Sequence, residues 1–181
     1  LQISAPKPIL IQGVTGSGKT EVYLQAIERV LKQGKNALIL IPEISLSPQT
    51  MDRFRMRFGD WVGILHSALG AGERFDEWRL AKQGVRRIIV GTRSAIFAPL
   101  QNLGMIIVDE EHESSYKQSD PNPRYNSRDL AVVRAKMNGG LCLLGSATPS
   151  VESRYNVYLK KYRGVRLNRR IAKHGMPAIT L

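Results

Sequence analysis

Short apolar runs recur along the chain, separated by segments whose apolar residues fall at helical spacing. Six runs read as strands: residues 8–12, 36–41, 61–65, 87–90, 105–108 and 141–144. Most are apolar at successive positions rather than alternate ones, as expected of parallel strands covered by helices on both faces. After the first run, Tyr23, Ile27, Val30 and Leu31 share one helical face, and Gly34 supplies a stop. The same pattern predicts helices over 47–57, 71–83, 128–136 and 150–161. Two of these starts, Ser127-Arg-Asp-Leu and Pro149-Ser-Val-Glu, carry N-cap and first-turn chemistry. Residues 113–126 break the alternation, being polar with two prolines and two tyrosines. No internal repeat or low-complexity tract interrupts it. The expectation is one α/β domain over 1–181, a mostly parallel sheet with helices on both faces.

Composition narrows the class without changing that picture. A chain of 181 residues, 43% apolar and 23% charged, has the balance of a soluble globular domain with a substantial core. No apolar run approaches the roughly 18 residues of a spanning helix, so no membrane partner is expected. The N-terminal LQISAPKPILIQG reads as a strand leading into a loop rather than a secretory signal. A single cysteine, Cys142 within LCLLG, excludes an internal disulfide and a cysteine-based zinc site in these residues. A reducing, cytoplasmic setting is the expectation.

Charge adds a candidate partner class. The net charge is +12, and residues 154–173 hold eight cations with no acid: Arg154, Lys160, Lys161, Arg163, Arg166, Arg169, Arg170 and Lys173. Such a run suits a polyanion, because cations near phosphates release condensed counterions. It suits a solvated helix face followed by a basic tail equally well. Charge of this kind points to an attraction, not to an activity.

The chemistry sits at strand ends. Residues 13–20 read GVTGSGKT, a G-x-x-x-x-G-K-[ST] loop between a predicted strand and a predicted helix. Gly13, Val14, Thr15, Gly16, Ser17 and Gly18 would offer backbone N–H groups to a phosphate chain at a helix N-terminus. Lys19 would reach the terminal phosphates, and the Thr20 hydroxyl would bind Mg²⁺. Residues 105–112 read MIIVDEEH, an apolar strand that delivers polar groups at its C-terminal end. Asp109 is placed to hold Mg²⁺ and Glu110 to polarise an attacking water, while His112 suits either sensing the nucleotide's terminal phosphate or capping a local hydrogen-bond network. Three consecutive carboxylates would repel one another, so the run itself argues for a cation among them. The GSATP segment at 145–149 also follows an apolar strand. There Ser146, Ala147 and Thr148 suit a hydrogen-bonded relay from the acidic strand end to a moving partner.

Together these three elements resemble motifs I, II and III of superfamily 2 helicases, in the same order. The intervening IPEISLSPQT, LHSAL, GTRSAIFAPL, DEEHESSYKQ and RYNSRDLAVVRA resemble the first motor lobe of the primosomal protein N′ (PriA) family of DNA helicases. That resemblance covers the whole chain and implies a RecA-like P-loop fold using ATP and Mg²⁺. It implies an ATP-dependent helicase that moves 3′ to 5′ on single-stranded or forked DNA during replication restart. Primosome proteins and single-stranded-DNA-binding protein are the implied partners.

By the same resemblance, Ser45, Gln49, Thr92, Arg93 and Ser94 are backbone-phosphate contacts. Ser45 and Gln49 fit a helix cap and an exposed helix residue equally well. The polar loop resembles the aromatic-rich loop that couples DNA binding to hydrolysis, with Tyr116, Lys117, Arg124 and Tyr125 as stacking and cationic groups. No role follows for His66 beyond a structural hydrogen bond. The resemblance further implies a larger protein, in which a second lobe supplies an arginine finger and a zinc-binding insertion lies outside these residues. An isolated first lobe should be nearly inactive, since such fingers contribute about 10³–10⁵ in rate. Other superfamily 2 motors acting on duplex DNA or RNA, or a non-catalytic nucleotide-binding lobe, remain alternative readings of the same motifs.

Overall fold

A computed structural model of the chain describes residues 6–168. Seven strands form one sheet: β1 (Ile9–Gly13), β2 (Asn36–Leu40), β3 (Val62–Leu65), β4 (Ile88–Gly91), β5 (Leu103–Val108), β8 (Leu141–Ser146) and β9 (Arg163–Leu167). Their order is β3-β4-β2-β5-β8-β1-β9, and every neighbouring pair is parallel. Each predicted strand therefore has its counterpart, within a few residues at the ends.

Apolar runs at successive positions arise because both faces are covered. On one face, Ala37, Ile39, Met105 and Ile107 pack with Tyr23, Leu24 and Ile27 of α1 (Lys19–Lys32) and with Met51 and Phe54 of α2 (Pro48–Phe58). On the other, Leu38, Leu40, Ile106 and Val108 pack with Ala81 of α3 (Ala71–Lys82) and with Ala131 and Ala135 of α4 (Ser127–Met137). Val157 of α5 (Val151–Tyr158) joins that second face. Burying each large side chain contributes about 1.5–3 kcal/mol, so the four central strands anchor everything at their ends.

Three strands were not predicted. β9 pairs along β1 in the segment read as a basic tail, and four of its five residues are exposed. Of the predicted basic run, Arg169, Arg170 and Lys173 lie outside the described residues. The polar loop holds a two-stranded antiparallel ladder, β6 (Lys117–Gln118) with β7 (Tyr125–Asn126). Because the main sheet is all parallel, its C-terminal strand ends share one edge. The phosphate loop, the DEEH segment and the GSATP segment all leave the sheet there, where open α/β sheets place their ligands.

Candidate nucleotide site

The GVTGSGKT loop leaves β1 and enters α1 with Gly18 as the cap residue, at φ 91°. Gly16 is also left-handed, at φ 79°, and these two positions turn the chain where a side chain would be strained. The Ser17 backbone N–H donates to the Val14 carbonyl at 3.0 Å, closing the turn. Lys19 is buried; its Nζ donates to the Gly13 carbonyl at 2.8 Å and stands 3.3 Å from Glu110 Oε1. Among the described residues, Ser17 Oγ is the one buried side-chain polar atom without a hydrogen-bond partner. A tight loop with an unsatisfied buried hydroxyl, a buried ammonium and the start of a helix fits a phosphate group.

Asp109 and Glu110 follow β5 directly. Asp109 Oδ1 accepts a hydrogen bond from the Tyr23 hydroxyl at 2.9 Å. Its backbone carbonyl accepts another from the Tyr116 hydroxyl at 2.6 Å. Burial, and then the adjacent charge of Glu110, push the Asp109 carboxyl above its ordinary range. Burial, and then Asp109 itself, push the Tyr23 phenol upward. A bound cation would relieve such a carboxylate. Glu110 has φ 44°, a left-handed conformation costing about 1–3 kcal/mol in a residue with a side chain. That conformation sends its carboxylate back to Lys19 on one side and to the Ala147 backbone N–H, 3.4 Å away, on the other.

The third carboxylate departs from the expected cluster. Glu111 is fully buried and turned away from Asp109 and Glu110, toward the N-terminus of α5. It accepts from the Ser150 backbone N–H at 2.7 Å, from the Ser150 and Ser153 hydroxyls at 3.0 and 2.8 Å, and from Arg128 at 3.4 Å. Adjacent backbone positions send these side chains to different places, so mutual repulsion of three carboxylates is not an argument for a metal here. No group of three or more His, Cys, Asp or Glu among the described residues could hold a metal by itself. Thr20 and Asp109 would instead share a cation with phosphate oxygens and water.

His112 is exposed and lies outside the lining of the cleft that holds Lys19 and Asp109. Its Nδ1 is 2.8 Å from Ser146 Oγ and 3.7 Å from Glu110 Oε2, and its Nε2 is 3.4 Å from Thr148 Oγ1. Of the two expected roles, these contacts form the local hydrogen-bond network, in which His112 joins Glu110 to the GSATP segment. Ser146 Oγ in turn accepts from the Thr148 backbone N–H at 2.9 Å. The expected relay residues Ser146, Ala147 and Thr148 thus all meet the acidic strand end.

The cleft beside the phosphate loop has a volume of about 700 Å³. One end is lined by the loop with Lys19, Thr20, Asp109 and Glu110, the other by Leu24, Arg53, Met56 and Arg57. Sequence reading missed this second end. Arg57 is held by Glu28 at 2.9 Å and lies 3.9 Å from Glu21. The only sequence signal was that Arg53 and Arg57 stand one helical turn apart on α2.

The residues expected to touch DNA divide into two groups. Gln49, Ser94, Lys117 and Arg124 are exposed; Ser45, Arg93 and Tyr125 are partly so. Thr92 is buried at 2% exposure and Tyr116 at 1%, which corrects both assignments. Thr92 lies where its backbone N–H donates to Leu65. Tyr116 lies beneath the loop, with its hydroxyl on the Leu40 and Asp109 carbonyls, and has no face for a base. Arg93 reaches back to the carbonyls of Ser115 and Lys117, at 3.4 and 3.2 Å. Tyr125 packs edge-on to Phe97, with ring centroids 5.1 Å apart. His66 Nδ1 accepts from the Ala68 N–H at 3.2 Å, a local turn contact.

Comparison with known proteins follows the same lines. The DEAD/DEAH box helicase family matches residues 2–157. Replication restart protein PriA of Bacillus subtilis is 51% identical over 175 residues, covering 97% of this chain and 22% of that protein. PriA of Chlamydia trachomatis is 56% identical over 153 residues, covering 84% of this chain and 20% of that one. The chain thus spans about a fifth of the length of these curated relatives. Among solved structures, RecG bound to a three-way DNA junction superposes with a TM-score of 0.64 at 22% identity, over 93% of this chain and 21% of RecG. Dbp5 of S. cerevisiae bound to RNA and ADP BeF3 gives 0.65 at 12% identity, over 92% and 43%. At such identities the likeness is one of fold. The family match, by contrast, spans most of the chain and includes every strand end described above but the last, and so the chain belongs to the DEAD/DEAH box helicase family.

Proposed function

We propose that this chain is the ATP-binding first motor lobe of a longer DNA helicase or translocase of the replication-restart type. The observation that carries the reading is the Lys19–Glu110 contact at 3.3 Å across a cleft that also presents Thr20 and Asp109. It brings the phosphate-binding cation and the water-polarising carboxylate to one place. The similarity to PriA supports DNA and replication restart as the context.

In this reading the loop N–H groups and Lys19 hold the phosphate chain of ATP, and Leu24, Met56 and Arg57 receive the nucleoside end. Thr20 and Asp109 hold Mg²⁺, which when bound neutralises charge on the phosphates. Glu110 orients water against the terminal phosphorus and accepts its proton as the bond to the leaving phosphate breaks. Its contacts with Ala147 and His112 carry the change in charge to Ser146 and Thr148. From there it passes to whatever moves against this lobe: a second lobe of the same protein that completes the cleft with an arginine finger.

DNA would run along the strand-end edge past Ser45, Gln49, Arg93, Ser94, Lys117, Arg124 and Tyr125. A 3′ to 5′ polarity, forked or single-stranded substrates, a zinc-binding insertion outside these residues, and primosome and single-stranded-DNA-binding partners in the cytoplasm complete the proposal. Among the described residues no helix is long and apolar enough to cross a membrane.

ATPase activity of the longer protein tests this reading, with single-stranded DNA, forked DNA, duplex DNA and RNA compared beside a Glu110→Gln control. Stimulation by single-stranded or forked DNA, lost in the control, is expected. Preference for duplex DNA or RNA would overturn the replication-restart assignment, and no stimulation by any of them would overturn the motor itself.

A further inference from the structure

We infer that Tyr23 is a positioning residue for Asp109, fixing the carboxylate that takes the cation; this rests on the motor-lobe reading above. Tyr23 stands on α1 one turn after Lys19, so the helix that turns a cation toward the phosphate loop also turns a phenol toward β5. The route is specific. In the sheet, β8 lies between β1, from which α1 follows, and β5, which delivers Asp109. The phenol must therefore pass over β8, and it does so at Gly145. A Cβ at that position would lie 1.6 Å from the Tyr23 hydroxyl oxygen and 3.4 Å from Asp109 Oδ1. Only glycine leaves room, so the small residue opening the GSATP segment has a physical reason to be there.

Past that gap the hydroxyl donates to Asp109 Oδ1 at 2.9 Å. At 1% exposure, Tyr23 has no water to compete for the bond. With Oδ1 engaged, the carboxylate plane is fixed and its second oxygen keeps a single direction. Groups that hold a metal-binding carboxylate in this way set metal affinity, and their loss typically costs about 10–100-fold.

Phenylalanine keeps the ring packing and removes only the donor. The test is retention of a fluorescent ADP analogue by the unchanged chain and by Tyr23→Phe, over a series of Mg²⁺ concentrations and in EDTA. For Tyr23→Phe, the Mg²⁺ concentration giving half-maximal retention should rise about 10-fold, at the low end of that range, with affinity in EDTA unchanged. An unchanged Mg²⁺ midpoint would overturn the inference, as would an equal loss with and without Mg²⁺, which a merely structural tyrosine would give. An unchanged chain that retains no nucleotide at any Mg²⁺ concentration would overturn the motor-lobe reading, and this inference with it.

Discussion

The hydroxyl of Tyr116 donates to the backbone carbonyl of Asp109 at 2.6 Å, and it also reaches the Leu40 carbonyl at 3.0 Å. One buried side chain at the root of the polar loop thereby ties the ends of two neighbouring central strands. Asp109 is the first residue after β5, and Leu40 is the last of β2. Ser127 at the start of α4 completes the tie by donating to the Tyr116 carbonyl at 3.1 Å.

Tyr116→Phe should therefore destabilise the fold, because the buried Asp109 carbonyl loses its donor, while the Leu40 carbonyl keeps the Asp109 backbone N–H. The expected cost is about 1–3 kcal/mol, read from denaturant unfolding. Stability equal to that of the unchanged chain would mean that another donor satisfies the Asp109 carbonyl.

Glu111 offers a sharper stability test. Its buried carboxylate accepts from Ser150, Ser153 and Arg128. Alanine at this position would leave the Ser150 backbone N–H and the Ser153 hydroxyl at the start of α5 without their acceptor, while Arg128 keeps Asp129 at 2.9 Å. Leaving buried donors unsatisfied costs about 1–3 kcal/mol, and thermal unfolding should show a loss of that order. Glu111→Gln should lose less, since it still accepts. A Glu111→Ala chain of unchanged stability would remove the capping role.

Asp109 is expected to behave in the opposite way. Its carboxyl is raised by burial and by Glu110, so in the free chain the native state binds this proton more tightly than the unfolded state does. Stability from this group is present below the unfolded carboxylate value and is lost as pH rises through the raised native one. Asp109→Asn removes that loss and should melt higher near neutral pH, by about 2–4 °C for each kcal/mol relieved in a domain of this size. The advantage should shrink on acidification, and Mg-dependent stabilisation by nucleotide should disappear. A variant that melts lower at neutral pH would contradict the assignment of Asp109 as a strained, cation-requiring carboxylate.

Tyr125 tests the loop. Packed edge-on to Phe97 and joined through its strand partners to the carbonyl that Arg93 holds, it links the loop to the segment expected to follow DNA. In the longer protein, Tyr125→Ala should weaken DNA-stimulated ATPase more than basal ATPase, by about 1–3 kcal/mol if a base stacks on it. Equal loss of both would count against coupling.

Much of this was legible in the sequence. The central strands announced themselves because both their faces are buried, which leaves no polar alternation to confuse the pattern. The GVTGSGKT loop and the DEEH strand end were legible because glycine spacing and an acidic strand terminus are local signals. β9 was not, since Arg163, Gly164 and Arg166 on an exposed edge strand look like a basic tail. Tyr116 was assigned by resemblance within a polar loop that hides the burial of its ring, and Thr92 by resemblance at the buried end of β4. Glu111 was read with Asp109 and Glu110 because adjacency in sequence hides the divergence of adjacent side chains. Tyr23 was read as an apolar face residue, and nothing local could reveal that its hydroxyl crosses Gly145 to another strand.

The central claim is that Lys19, Thr20, Asp109 and Glu110 form a Mg-nucleotide site, and calorimetric titration of the chain with Mg-ATP tests it most directly. The unchanged chain should bind one nucleotide in a Mg-dependent manner. Lys19→Ala, which removes the ammonium held between Gly13 and Glu110, should lose most of that affinity while staying folded by circular dichroism. Equal binding by a folded Lys19→Ala chain, or no binding by the unchanged chain, would contradict the account.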